Sequence, residues 1–231
     1  MVCTDKIRSC FTAAIVTFVF IIPNSINAAQ PQQPAIASAH PLATQAGYLI
    51  FERGGNAFDA AIAVSAVLSV VEPYSSGLGG GAFFLIHREQ DKYQTFIDAR
   101  EKAPNAATAE MYQDTQGMVI PRASLVGPLA SGIPGLPAGL VHLSNKYGAL
   151  PLEQSLAAAI ELAEKGFPVY ERLNTALKVA QQSRGSFSQK FIEVFTSNNE
   201  LPEVGQLIKQ PELANTLRLI ASKGHKGFYD S

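Results

Sequence analysis

The chain has 231 residues, of which 47% are hydrophobic and 16% charged, and its net charge at pH 7 is −1. These values fit one globular domain or most of one. The near-neutral charge gives no electrostatic reason to expect nucleic acid or an anionic membrane surface as a partner.

The first 28 residues have the features of a secretory signal peptide. Lys6 and Arg8 precede an apolar run from Phe11 to Ile22, and Ala28 and Ala29 provide small residues for cleavage. The apolar run is shorter than the roughly 20 residues that span a bilayer, which favours cleavage over the alternative, a retained anchor. We therefore expect a secreted protein, periplasmic or extracellular, with no stable membrane span after the signal is removed.

The residues after the leader predict a short linker and then a folded region without disulfides. Both cysteines, Cys3 and Cys10, lie in the leader, so cleavage after Ala28 leaves none in the mature protein. The segment Pro31-Gln32-Gln33-Pro34 is polar and bounded by prolines, which predicts an extended linker over residues 29–36. Residues 37–231 then form the folded part.

Two helices are predicted directly after the linker. From Pro41 to Arg53 apolar residues recur at helical spacing, with a proline at the first helical position and two glycines after the last. The second helix runs from Ala57 to Val71, with Asn56 as its cap and Asp59 near its positive end. Because this helix is apolar nearly all round, we expect it to be buried on every side, with the next element covering one side.

A β-hairpin is predicted next. The runs Ala82 to Arg88 and Tyr93 to Ala99 are rich in aromatic and aliphatic residues, and the polar residues 89–92 between them favour a turn. Four glycines between positions 77 and 81 precede the first strand. They allow the main chain to take a positive φ or to lie close against another segment; a flexible turn is the alternative explanation.

The rest of the chain is predicted to be mostly helical. Asn105 to Gly132 is expected to be loop, with a possible helical turn near Ala109 to Gln113. Leu152 to Lys165 has the clearest amphipathic pattern. The other predicted helices are Gly135 to Tyr147, Tyr170 to Gln182, Ser188 to Phe195 and Pro211 to Lys223.

The spacing of polar residues disfavours several kinds of site. The four histidines, His40, His87, His142 and His225, lack the HxxxH or HxH spacing of a zinc site. The glycine-rich loop precedes a strand and is not followed by Gly-Lys-Ser/Thr, which disfavours phosphate binding, and no GxSxG is present. Arg100 remains as a candidate: at the end of a strand it can bind a carboxylate, or it can form a structural salt bridge with Asp98, Glu101 or a distant acid.

Four ordered motifs resemble the γ-glutamyltranspeptidase (glutathione hydrolase) family. Gly54 to Ala61 resembles the GGNAxDAA segment of the family, and Gly132 to Gly139 has the spacing of its GxPGxxxG segment. Between them, the glycine entry to a strand, Gly79 to Gly81, is followed by Asp98 to Pro104, which matches DxRExAP at every fixed position. Shorter matches continue to Ala214.

The resemblance implies an α+β fold, part of an N-terminal nucleophile hydrolase αββα sandwich that is incomplete in this chain. It implies transfer of the γ-glutamyl group of glutathione or a related amide to water or an amino acid, through a glutamyl-threonine ester, with no cofactor and no metal. In the family the arginine of DxRExAP contacts the α-carboxylate of the γ-glutamyl group. Arg100 is therefore the expected substrate-binding residue.

The resemblance also implies that the catalytic threonine is not in this chain. In the family it opens the small subunit after self-cleavage of a precursor, and its α-amine can act as the base. That position is expected beyond Ser231, which makes residues 37–231 a truncated N-terminal part of the large subunit, inactive alone, with its own small subunit as partner. A related acylase, such as a cephalosporin acylase or a poly-γ-glutamate-processing enzyme, and a non-catalytic secreted fragment are the alternatives.

Overall fold

The structure, a computed structural model, describes residues 33–184, 188–196 and 200–230. The predicted signal peptide and the first part of the predicted linker lie outside the described residues. The described part is mixed helix and strand. No helix in these ranges combines the length and the apolar character needed to cross a membrane.

The elements predicted from the sequence are present with nearly the predicted bounds. The helices are α1 (Pro41–Glu52), α2 (Ala57–Val71), α3 (Leu136–Tyr147), α4 (Leu152–Lys165), α5 (Glu171–Arg184), α6 (Gln189–Phe195), α7 (Pro211–Lys223) and α8 (Lys226–Tyr229). The strands are β1 (Ala82–Arg88), β2 (Tyr93–Ala99), β3 (Phe167–Pro168) and β4 (Leu207–Ile208). Short 3-10 helices at Ala109–Tyr112 and Pro128–Ala130 interrupt the exposed loop between β2 and α3.

Helix α2 lies at the centre of the core. It contacts α1, α3 and α4, and side chains along its length, including Ile62, Val67 and Val70, are fully buried. The prediction that α2 is buried on every side is confirmed only in part, because one face of the helix is exposed at Ala57 and half-buried at Ala61, Val64, Ser65 and Leu68. The sequence predicts that the hairpin covers one side of α2. In the structure, α1, α3 and α4 make most of the contacts with α2, and the hairpin packs chiefly against α3.

Asn56 and Asp59 fix the start of α2 and join it to the connection between α3 and α4. The Asn56 side chain accepts the N–H of Phe58 at 2.8 Å, and the Asp59 carboxylate accepts the N–H of Asn56 at 2.9 Å. Asp59 is fully buried and also accepts the N–H of Ala149 at 2.9 Å, while the Asn56 amide donates to the Tyr147 carbonyl at 2.7 Å. These contacts give the GGNAFDAA segment a structural role.

The hairpin has one covered face and one exposed face. Strands β1 and β2 pair antiparallel, with Ala82 opposite Ala99. On the exposed face the aromatic rings of Phe83 and Phe96 lie 5.3 Å apart, and Leu85 is 85% exposed. The described residues add only the short β3–β4 pair, so they do not form the second layer of the predicted sandwich.

Strands β3 and β4, helix α8 and the 3-10 helix Pro128–Ala130 are absent from the predictions. Strands β3 and β4 have two residues each, and α8 has four, so none is long enough to show a hydrophobic period. Phe167 of β3 and Ile208 of β4 are nevertheless buried and opposite each other in the pair. Tertiary contacts rather than local pattern therefore define these elements.

Candidate active-site region

The main chain at Arg100 is held between two glycines. Arg100 directly follows β2, and neither Gly81 nor Gly135 has room for a Cβ against the main chain of residues 99–100. The Gly80 carbonyl accepts the N–H groups of Gly135 at 3.0 Å and Leu136 at 3.1 Å, which ties the glycine-rich loop to the start of α3. Close approach, and not a positive φ, accounts for the glycine at position 81.

Hydrogen bonds fix the chain on both sides of Arg100. The Asp98 carboxylate accepts the N–H of Arg100 at 2.9 Å. Two residues later, Lys102 and Ile133 exchange backbone hydrogen bonds of 3.0 Å and 2.8 Å. The main chain is therefore restrained on both sides of Arg100, which fixes the position of the Arg100 Cα.

The Arg100 side chain is exposed and has no acidic partner among the described residues. Its guanidinium lies over the ring of Phe83, 5.9 Å from the ring centroid. None of the ion pairs in this part of the chain includes Arg100. The salt bridge with Asp98 or Glu101 that the sequence leaves open is thus not formed there, and the planar N–H fork is available to a carboxylate ligand.

Arg100 lines a cleft of about 700 Å³ between the end of β2, helix α3 and helix α8. This volume is within the range of about 300–1,000 Å³ that is typical of small-molecule sites. Lys102 lines the same cleft, whereas Glu101 lines a separate one beside the glycine-rich loop. Asp98 is the one carboxylate among the described residues that line the Arg100 cleft, so the two cations dominate its charge.

Helix α8 forms a wall of this cleft through Tyr229. The Tyr229 hydroxyl donates to the Pro134 carbonyl at 2.7 Å and accepts the N–H of Ala138 at 3.3 Å. Burial raises the pKa of Tyr229, although the hydrogen bond from Ala138 opposes the shift, so the hydroxyl stays a donor at neutral pH. The ring of His225 stacks on Tyr229 with the centroids 4.4 Å apart.

Sequence analysis proposes Arg100 as a binding residue but none of the other basic or imidazole side chains of the cleft. Lys102 occupies an unspecified position of the DxRExAP motif, so the motif carries no signal for it. His142 on α3 and His225 beside α8 are distant in sequence, yet both line the cleft. The described residues contain no group of three His, Cys, Asp or Glu side chains placed to hold a metal ion.

Comparison with known proteins relates this region to one family. The sequence model described as Gamma-glutamyltranspeptidase matches residues 43–231. The glutathione hydrolase proenzyme of Bacillus subtilis (strain 168) is 40% identical over 195 residues, which are 84% of this chain and 33% of that protein. The capsule biosynthesis protein CapD proenzyme of Bacillus anthracis is 39% identical over 195 residues, again 84% of this chain and 33% of that protein.

A solved structure gives the same relationship. The crystal structure of Helicobacter pylori gamma-glutamyltranspeptidase superimposes with a TM-score of 0.79 at 39% sequence identity, over 86% of this chain and 58% of that chain. The chain spans about a third of the length of the two curated relatives. Its mixed helix and strand structure is similar to that of the solved structure over most of the chain. The chain belongs to the gamma-glutamyltranspeptidase family.

Proposed function

We propose that the protein is a γ-glutamyltransferase or glutathione hydrolase precursor. It moves the γ-glutamyl group of glutathione or a related amide to water or an amino acid, and Arg100 binds the α-carboxylate of that group. The observation that carries the proposal is the Arg100 guanidinium, exposed in a cleft on a fixed main chain and without an ion pair among the described residues. The identity to glutathione hydrolase proenzymes supports it.

Arg100 acts by holding the substrate at the end opposite the reacting bond. Its two parallel N–H groups orient the α-carboxylate, which places the γ-amide at the nucleophile. The nucleophile is a threonine outside this chain, and its hydroxyl proton passes through the α-amine to the leaving amine. The threonine oxygen forms an ester with the γ-carbonyl as the amide bond breaks, and water or an amino acid then attacks the ester.

The complete protein is proposed to be a self-cleaved pair of subunits in an αββα sandwich. The exposed apolar face of the hairpin, with Phe83, Leu85 and Phe96 between 55% and 85% exposed, supports a second sheet on that side. We also propose that residues 1–28 are a signal peptide and that the protein is periplasmic or extracellular. The composition of the leader is the support for this location.

A related acyl transfer is the second candidate function. The 39% identity to a capsule biosynthesis protein favours it, because that identity nearly equals the identity to a glutathione hydrolase. Both reactions use a carboxylate-bearing γ-glutamyl unit if the capsule substrate is a γ-glutamyl polymer. Turnover of a poly-γ-glutamate in place of glutathione would favour this candidate.

The test is to assay the family-length protein after self-cleavage. We expect hydrolysis of glutathione and γ-glutamyl-p-nitroanilide, and none in the control in which the new terminal threonine is replaced by alanine. The 231-residue chain alone is expected to be inactive. A processed protein that turns over neither substrate would contradict the proposed function.

A further inference from the structure

Lys102 places a second cation in the cleft of Arg100. Its side chain is exposed, lines that cleft and takes part in none of the ion pairs among the described residues. We propose that Lys102 binds a carboxylate on the leaving group of the donor. The site then prefers γ-glutamyl donors with two carboxylates, such as glutathione and γ-glutamyl amino acids, over amides with one. This inference rests on the proposed function.

The placement of Arg100 and Lys102 suits a donor with charges at both ends. The two residues line one cleft and Glu101 lines the other, so the side chains alternate as in an extended strand. An extended chain advances about 3.3 Å per residue, which separates the Cα atoms of the two cations by about 7 Å. Glutathione carries its two carboxylates at opposite ends of a flexible chain, so each cation has one partner.

The two cations have different chemistry, which assigns a different task to each. The rigid fork of Arg100 fits the α-carboxylate, whose position is the same in every γ-glutamyl donor. Lysine is a compact charge on a flexible stem, which suits a leaving-group carboxylate whose position varies from donor to donor. The backbone bonds to Ile133 anchor the base of this stem. Lys102 is therefore a specificity residue and takes no part in the chemical step.

Esterified glutathione tests the proposal without a change in the protein. Glutathione and its glycyl monoethyl ester differ by one negative charge, at the carboxylate assigned to Lys102. In the processed family-length protein, we expect the KM of the ester to exceed that of glutathione by about threefold to tenfold. The difference should shrink at high ionic strength, because salt screens an exposed ion pair.

The variant Lys102→Met tests whether Lys102 causes the difference in KM between glutathione and its ester. In this variant the ratio of the two KM values should fall close to one, and Lys102→Arg should keep most of the wild-type ratio. Lys178→Met is the matched control: Lys178 is an exposed lysine on α5 that does not line the cleft, so its variant should keep the wild-type ratio. If Lys102→Met does not self-cleave, the KM ratio of ester to glutathione in the wild type and in Lys102→Arg tests the proposal.

The outcomes separate this inference from the proposed function. A wild-type ratio near one, or a ratio that Lys102→Met leaves unchanged, would overturn the role of Lys102 while γ-glutamyl turnover stands. Absence of turnover of any γ-glutamyl substrate would instead remove the proposed function. A ratio that falls in Lys178→Met as much as in Lys102→Met would also contradict the assignment, because the effect would then be one of overall charge.

Discussion

Gly81 packs directly against the main chain of Arg100. An ideal Cβ at Gly81 would lie 2.7 Å from the Arg100 Cα and 2.8 Å from the Ala99 carbonyl oxygen, closer than real side chains come. The loop that enters β1 therefore sets the position at which β2 ends. Because the backbone at residues 99–100 has little freedom to move, the glycine is a requirement of the site geometry and not of loop flexibility.

Gly81→Ala should destabilise the protein by about 1–3 kcal/mol, because the added methyl group overlaps backbone atoms that cannot rotate away. Gly79→Ala is the control from the same glycine run: a Cβ there meets nothing within 4 Å, and its φ is not positive. Thermal unfolding of the two variants should differ clearly. Equal melting temperatures would contradict the close packing at Gly81.

Asp59→Ala should cost about 2–4 kcal/mol of stability. The change removes the acceptor of the Asn56 and Ala149 N–H groups and leaves those donors without their partner. Asp114→Ala is the control, since Asp114 accepts two backbone N–H groups in an exposed loop and should cost less than about 1 kcal/mol. Denaturant unfolding of both variants measures the difference in the free energy of unfolding. Similar losses of stability would contradict a special role for the buried hydrogen bonds of Asp59.

His40 should make stability depend on pH. Burial lowers the pKa of His40 below 6.5, although Glu72 opposes the shift, and the Nδ1 atom accepts the N–H of Leu42 at 3.2 Å as the cap of α1. The unfolded chain takes up the proton first as pH falls. Stability that His40 contributes above pH 6.5 is therefore lost progressively as the pH falls through the lowered pKa.

His40→Asn checks this pH dependence, because asparagine caps a helix without titrating in this range. The melting temperature of the wild type should fall more than that of the variant between about pH 7.5 and about pH 5.5. Parallel curves for the two proteins would show that His40 does not titrate in the folded state as described.

The leader prediction has a direct chemical test. Protein recovered from the periplasm or the medium should begin near Ala29, because the short apolar core and the small residues after it are a processing signal. N-terminal sequencing measures this. An exported protein that begins at Met1 would contradict cleavage and favour the retained anchor.

The sequence predicts those elements whose formation depends on residues close together in the chain. Helix α2 is predictable because its cap, its apolar run and the proline after it all act within one segment. The β3–β4 pair is not, since each strand has only two residues and the paired residues Phe167 and Ile208 are far apart in sequence. The motif predicts Arg100 as a binding residue, whereas His142 and His225 are distant in sequence and reach the same cleft only through the tertiary fold.

Arg100→Gln in the mature family-length enzyme is the most direct test of the account. A bidentate contact with a carboxylate contributes on the order of 1.5–3 kcal/mol, so KM for γ-glutamyl-p-nitroanilide should rise by about tenfold to a hundredfold. The KM of Arg100→Lys should lie between those of the wild type and Arg100→Gln, because lysine keeps the positive charge but lacks the planar N–H fork. Self-cleavage and melting temperature should stay near normal in Arg100→Gln. A normal KM in stable, processed Arg100→Gln enzyme would contradict the central claim and remove Arg100 from the site.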